Sequence, residues 1–337
     1  MNLHETACPM VSIIIPTYNN ETRIARTLEN IISQDYPNIE IIVVNDVSQD
    51  NTAAIARRVL TSWGGPFQVI DRSVNGGQSS SRNTGLDAAS GKYVIFFDHD
   101  DLAEKNYVSR LCGEIERVKA DVTFCGYKNY YEAESRYEEV PMQLTATLAS
   151  PEDYVIKWLK GKLGNTIWCY IFRKEFLLEQ KLRFTEGCHV GEDIEFFVKA
   201  LTVSTRTSFV KDHLYIWMRH PTQQSSGGGP RGALFQSVKL EMLYRWRIAR
   251  YVYRHGSNRL REYMLHFYIP QNFVKQFTVF AERKDWASYE KQMKKLRHRT
   301  MRNLLLSTVK FLWFEPEVFG KAMLLLCCPK FYYRLRS

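Results

Sequence analysis

Four short, uninterrupted apolar runs, Val11–Ile15, Ile39–Val44, Phe67–Ile70 and Tyr93–Phe97, recur at nearly even spacing along the start of the chain. Because their apolar residues are continuous rather than alternating, each predicts a strand covered on both faces, as in a parallel sheet. The segments between them have helical spacing. Ile24, Leu28, Ile31 and Ile32 define one apolar face, and Ile55, Val59 and Leu60 define another after the cap-like residues Ser48, Asp50, Asn51 and Thr52. Alternating strands and helices predict a doubly wound α/β domain. At 337 residues the chain has room for a second domain, and 45% hydrophobic with 13% aromatic residues excludes disorder or a fibrous repeat.

An open parallel sheet binds ligands at the carboxyl ends of its strands. The residues that follow the runs are polar and acidic: Pro16-Thr17-Tyr18-Asn19-Asn20, Asn45-Asp46-Val47-Ser48 and Asp98-His99-Asp100-Asp101. The last places three carboxylates around a histidine, a density of oxygen ligands that suits a hard cation such as Mg²⁺ or Mn²⁺ able to bridge a diphosphate. Its structural alternative is Asp100 or Asp101 capping a helix that begins near Leu102. Gly191-Glu192-Asp193-Ile194-Glu195 is a second acidic cluster, where one carboxylate could accept a hydroxyl proton; on a helix Glu192 and Glu195 share a face and Asp193 points elsewhere. The alternative is an acidic first turn favoured by the helix dipole. Asn75-Gly76-Gly77 through Arg82-Asn83-Thr84-Gly85 reads either as amides and an arginine facing a phosphate or as a flexible turn before an exposed helix. Arg219 and His220 precede Pro221, and a lone histidine there is more often structural than a ligand.

Beyond Gly126 the pattern is mixed. Tyr127–Thr147 predicts loop and short strand, Pro151–Trp158 predicts the start of a helix, Gly227–Pro230 predicts a hinge, and Leu234–Arg254 and Leu260–Arg302 are helix-friendly and basic. Gly227–Gly232 matches a GxGxxG spacing, but no clear strand leads into it, and no Walker lysine, HExxH or GxSxG motif is present. Seven cysteines without CxxC spacing read as reduced core residues.

The charge is unevenly divided. Residues 1–230 hold 24 Lys and Arg against 29 Asp and Glu, whereas residues 231–337 hold 22 against 7. A tail this basic predicts an anionic partner or a solvated basic surface. Leu304-Leu305-Leu306, Val309, Phe311–Phe314 and Met323–Leu326, with Lys310, Lys321, Lys330, Arg334 and Arg336, predict either an interfacial helix on an anionic membrane or a helical cap packed on protein. The paired Cys327 and Cys328 read as buried. No apolar run reaches the ~18 residues of a membrane span, and the start, with Glu5 and no apolar core before Pro9, is unlike a signal peptide. The expected location is the cytoplasm, either free or peripheral on the inner face of the cell membrane.

Taken in order, Val11–Asn19, Ile41–Thr52, Asn75–Gly85, Phe97–Asp101 and Gly191–Asp193 closely resemble family 2 glycosyltransferases of the GT-A fold over about residues 10–225. The resemblance implies a Rossmann-like, doubly wound mixed sheet in residues 1–226, leaving a basic, mostly α-helical C-terminal region in 227–337. It implies that Pro16, Thr17 and Tyr18 line a nucleotide pocket, that Asp46 hydrogen-bonds the base, typically uracil, and that Arg82 lies near the diphosphate or donor sugar. Asp98 and Asp100 match the DxD element, Asp98 toward ribose or sugar and Asp100 toward the metal. Asp193 matches the catalytic base, with Glu192 in reserve, and His220 matches a histidine that completes the metal or diphosphate site. Arg219 is a second candidate for the diphosphate. Asn45 stands where an acid is frequent, and Val47 where glycine is usual.

The expected activity is inverting, Mn²⁺- or Mg²⁺-dependent transfer of a sugar from a nucleotide-sugar donor, UDP-linked, to a hydroxyl of a glycan or lipid-linked glycan. An anionic membrane surface is a candidate partner and nucleic acid is not expected. The competing readings are a sugar nucleotidyltransferase, which would release pyrophosphate, and a non-catalytic protein that binds nucleotide-sugar or nucleic acid.

Overall fold

The computed structural model describes residues 8–142, 144, 148, 150–163, 166–220, 238–296, 303, 305–306, 316–327 and 333. The chain divides into two compact units, residues 1–235 and 236–337. The expected boundary at 226/227 and the glycine run at 227–232 lie outside the described residues.

In the first unit the four apolar runs are strands β1 (Val11–Thr17), β2 (Ile39–Asn45), β3 (Phe67–Asp71) and β4 (Tyr93–Phe96). Every residue of β1, β2 and β4 is buried, as continuous apolar character requires, while β3 at the sheet edge is only half-buried. Helix α1 (Ile24–Ile32) buries Ile24, Leu28 and Ile31. Helix α2 (Thr52–Trp63) buries Ala56 and Leu60, with Ile55 and Val59 half-buried at its margin. Helix α3 (Gly77–Ala88) follows β3.

Past β4 come β5 (Leu102–Ala103), α4 (Tyr107–Val118), β6 (Val122–Tyr131), β7 (Arg136–Glu139), α5 (Pro151–Leu159), β8 (Tyr170–Arg173), α6 (Lys174–Glu179), α7 (Glu192–Val203) and β9 (Thr207–Arg219). No helix begins at Leu102; that residue pairs with Ile216 of β9, and the next helix starts at Tyr107. Helix α5 opens on a reciprocal capping box between Ser150 and Asp153 with a proline in its first turn.

One mixed sheet runs in the order β3-β2-β1-β4-β8-β6-β9-β5, with β7 paired to β6. The chain steps outward from β1 through β2 to β3, then crosses back to lay β4 on the other side of β1, and all these pairs are parallel. The point where strand order reverses therefore lies between β1 and β4, where loops diverge and leave a crevice at the carboxyl edge. Beyond β4 the sheet turns antiparallel at β8, and the parallel pair β6 and β9 carries Arg219 opposite Tyr131. That pairing brings the end of β9 to the same edge.

Helix α3 buries Ser79, Ser80, Ser81, Arg82 and Asn83, which rules out the alternative of an exposed helix. Its close approach to the sheet depends on Gly85, where a Cβ would come within 2.3 Å of the Ile14 side chain. Gly85→Ala is expected to destabilise the protein by about 1–3 kcal/mol through overpacking, read as a lower urea midpoint. An unchanged midpoint would mean that Ile14 yields freely.

In the second unit, helices span Val238–His255, Asn258–Tyr263, Ile269–Glu282, Trp286–Leu296 and Pro316–Cys327, with a π turn at Met264–Tyr268. Phe273, Phe277, Tyr289, Leu305, Ala322 and Leu325 form its core, with Leu324 partly buried against them. Of the tail residues expected to form an apolar membrane face, Leu305, Leu324 and Leu325 pack inside the unit, whereas Leu306 is exposed. Leu304, Val309, Phe311–Phe314, Lys310, Lys330, Arg334 and Arg336 lie outside the described residues, as does Cys328. Among the described cysteines none forms a disulfide: Cys112, Cys125 and Cys169 are buried, Cys188 is half-buried and Cys8 is exposed. No helix among the described residues is long and apolar enough to cross a membrane.

Candidate active site

At the carboxyl edge beside β1 and β4, the loops that follow β1, β2 and β4 are tied to one another. The Asp46 amide donates to the Thr17 carbonyl at 2.9 Å, and the Asn20 amide donates to Thr52 Oγ1 at 2.7 Å. His99 Nδ1 lies 2.9 Å from the Pro16 carbonyl, while Asn20 Nδ2 and Thr27 Oγ1 donate to the His99 carbonyl. Pro16 and Thr17 are buried, whereas Tyr18 is 41% exposed at the rim. Thr17 Oγ1 is buried and finds no hydrogen-bond partner among the described residues. Such an oxygen is costly unless a ligand completes it.

Asp46 is 4% exposed and heavily committed. Its Oδ1 accepts from Arg72 Nη1 at 2.8 Å and the Gly76 amide at 3.0 Å, and its Oδ2 accepts from the Gly77 amide at 2.7 Å. The amides that begin α3 thus hold a carboxylate of the chain itself, where the sequence suggested a phosphate. A carboxylate has about four acceptor positions, so these three bonds leave Oδ2 one for a ligand N–H. Arg72 was not foreseen; its only cue was its place just after β3. Val47 has φ of +66°, a left-handed conformation in which a β-branched residue is strained by about 1–3 kcal/mol. This is the position where glycine was expected.

Arg82 is the centre of the site. Although only 2% exposed, its Nη2 donates to Asp98 Oδ1 at 2.9 Å and its Nη1 lies 3.6 Å from Glu192 Oε1. Phe184 supports the guanidinium from below, 5.3 Å from its ring centroid. Arg82 Nε and Nη1 have no hydrogen-bond partner among the described residues, so the fork is only partly used. Burial opposes its charge, but Asp98, Glu192 and Asp193 together raise its pKa.

Gly191, at φ of +72°, turns the chain into α7 and sets Glu192 and Asp193 beside that arginine. Burial, then the neighbouring Asp193, push Glu192 up to about 7 against the pull of Arg82. Burial also raises Asp193, opposed by Arg82 and reinforced by Asp98. Asp193 is near enough for its charge to be felt by both Glu192 and Arg82, while on the helix Glu192 and Glu195 share the buried face. It is Glu195 that leaves the site: it accepts from Thr185 Oγ1 at 2.8 Å and pairs with Lys199 at 2.5 Å.

The carboxylates after β4 have separate tasks. Asp98 meets Arg82. Asp100 Oδ2 lies 3.1 Å from His220 Nε2. Burial works against Asp100 ionising, yet the His220 hydrogen bond and nearby His99 hold it below the usual aspartate range. Asp101, 1% exposed, accepts from Tyr215 OH and the Met218 amide, both at 2.8 Å, and so pins β9 to the site. Burial, then Asp100 and Asp98, raise its pKa well above the ordinary value. Neither Asp100 nor Asp101 caps a helix at Leu102. Arg219 stacks on Trp217, 4.0 Å from the ring centroid. Unforeseen neighbours are Glu132 and the arginines it holds: Arg23 Nη1 at 2.7 Å and Arg26 Nη1 at 3.1 Å. Arg23 feels Asp100 and Asp101, and Glu132 feels His220. No local pattern marks a pair 109 residues apart.

Known proteins share the fold and the family. A structure of Staphylococcus aureus TarS 1-349 in complex with UDP-GlcNAc superposes with a TM-score of 0.71 at 20% identity, covering 97% of this chain and 88% of that one. The mannosyltransferase PcManGT of Pyrobaculum calidifontis, in complex with GDP-Man and Mn²⁺, gives 0.54 at 16% identity, covering 96% and 89%. The fold is GT-A, with C-terminal helices. The uncharacterized glycosyltransferase EpsJ of Bacillus subtilis (strain 168) is 33% identical over 217 residues, 63% of this chain and 62% of that protein's length. The profile of glycosyl transferase family 2 matches residues 12–180, from β1 through α6, and stops short of Asp193 and His220. With that match spanning half its length, the chain belongs to glycosyl transferase family 2.

Proposed function

We propose that the chain is an inverting, divalent-metal-dependent glycosyltransferase that moves a sugar from a UDP-sugar to a hydroxyl of a glycan or lipid-linked glycan, working peripherally at the inner face of the cell membrane. The observation that carries this reading is the buried Arg82, which joins Asp98 on the β4 loop to Glu192 on α7. Such a bridge sets a donor-binding edge beside a pair of carboxylates with raised pKa values. The nucleotide-sugars held by TarS and PcManGT support a donor of this class, and the closer superposition with TarS favours uridine.

In this reading Pro16, Thr17, Tyr18 and Asp46 receive the nucleotide, and Arg82 with Arg219 faces the diphosphate. The Asp193 carboxylate takes the acceptor's hydroxyl proton, with Glu192 the reserve candidate. The acceptor oxygen forms a bond to C1 as the bond from C1 to the phosphate oxygen breaks, and the electron pair leaves with the nucleoside diphosphate. Displacement on one face by an attacker from the other inverts the anomeric centre.

The metal fits the residues present. Asp100 Oδ2 and His220 Nε2 are separated by 3.1 Å, close to the ~3 Å expected of adjacent ligands on one octahedral ion. Among the described residues no third His, Cys, Asp or Glu joins them, which suits an ion completed by diphosphate oxygens and water. When bound there, Mn²⁺ or Mg²⁺ would offset the negative charge developing on the leaving diphosphate.

The test is product analysis with a panel of UDP- and GDP-sugars and Mn²⁺. Release of nucleoside diphosphate supports sugar transfer. Release of pyrophosphate would mean nucleotidyl transfer, and binding without turnover would mean a non-catalytic protein. Asp100→Ala is expected to lower metal-stimulated turnover by about 10²–10³-fold while the melting temperature holds. Full activity of that variant with a chelator present would remove the metal from the reaction.

A further inference from the structure

We propose that the outward face of the helix Val238–His255 is a docking surface for an anionic lipid bilayer. The assignment rests on the membrane part of the reading above and names the residues that would carry it. Tyr244, Ile248, Ala249 and Val252 are buried and define the inward face of this helix. The opposite face presents Leu243, Trp246, Arg250, Tyr253 and Arg254, each three or four residues from another of the set and all exposed. Leu243, Trp246 and Tyr253 are 46%, 44% and 46% exposed.

Large apolar side chains at this exposure, aligned in one stripe, mark a contact surface rather than chance. The helix's single acid, Glu241, lies off this stripe and is taken up by Arg245 and Lys275, each at 2.9 Å. Positive charge gathers at the carboxyl end of the stripe, where Arg261 donates to the Tyr253 and Arg254 carbonyls. A cation there also suits the helix dipole.

The mixture of side chains selects the occupant. Arginines draw the face to anionic headgroups, Trp and Tyr rings favour the headgroup level, and Leu243 gains by entering the acyl boundary. A nucleic acid would answer the arginines but offer nothing to Leu243. A second copy would set arginine against arginine, in a region with 22 Lys and Arg against 7 Asp and Glu. In the apolar segment near the C-terminus, Leu305 and Leu325 lie in the core, and of its described residues Leu306 is exposed.

The full chain is tested by flotation with vesicles of phosphatidylcholine alone and of phosphatidylcholine with phosphatidylglycerol. Binding is expected only to the anionic vesicles and is expected to weaken with salt. Trp246→Glu, and separately Arg250→Glu with Arg254→Glu, should each weaken it roughly tenfold or more, with the melting temperature and turnover of a soluble acceptor unchanged. If the unaltered chain binds neither vesicle, the membrane reading fails and this assignment with it. If it binds but both variants bind equally well, the membrane reading stands and this face is the wrong one. A concentration-dependent dimer abolished by Trp246→Glu, or tighter binding to single-stranded DNA than to anionic vesicles, would likewise overturn the proposal.

Discussion

Asp193→Asn is expected to lower sugar transfer by about 10²–10⁴-fold, the usual contribution of a positioned general base, while UDP-sugar binding measured by calorimetry stays near its original strength. The substitution keeps shape and removes the proton acceptor, so a loss confined to turnover separates chemistry from binding. The pH profile supplies a second readout. Burial and Asp193 push Glu192 up to about 7, and burial holds Asp193 above the ordinary aspartate range. Transfer should fall as the pH drops through that region and the base becomes protonated. With Asn at position 193 the neighbouring charge is gone, and Glu192 should titrate lower than about 7. Transfer kinetics unchanged by Asp193→Asn would move the base to Glu192.

Arg82→Met should be the most destabilising single change at the site, by about 3–5 kcal/mol, because it leaves buried carboxylates without their cation. Asp98 and Glu192 are 23% and 11% exposed as side chains, and Arg82 is 2% exposed, so solvent can do little to compensate. The loss should depend on pH with a definite sign. A carboxyl with a raised folded pKa favours the folded state at pH below its ordinary value and loses that contribution as pH rises through the folded value. For Glu192 that value is about 7, and without Arg82 it moves higher still. The deficit of the variant should therefore be larger at pH 8 than at pH 6 in urea titrations. Equal midpoints for the variant and the unaltered chain at pH 8 would show that Arg82 is not the counter-ion of this cluster.

The strands were legible because their signal is local. A strand such as β2 must be apolar on every side chain to be covered on both faces, and Ile39–Val44 displays that in the sequence itself. The burial of helix α3 was hidden for the same reason in reverse. Its serines and Arg82 carry polar character, and nothing nearby reveals that Gly85 lets the helix press against Ile14 and bury them. The alternative of Asp100 or Asp101 capping a helix near Leu102 does not hold, because Asp101 is bound by Tyr215 OH and the Met218 amide, partners more than a hundred residues away.

Residue order alone established the alternation of strands and helices, the polar loops at the carboxyl edge and the family, because each depends on short-range periodicity or on motifs a few residues long. Only the tertiary structure decided that Asp46 caps α3 through the Gly76 and Gly77 amides, that Arg82 unites Asp98 with Glu192, and that Asp100 meets His220. Those pairings join residues from 16 to 120 positions apart in the chain. Their energies come from desolvation and charge at distances of a few ångströms, which exist only once the sheet has brought its loops to one edge.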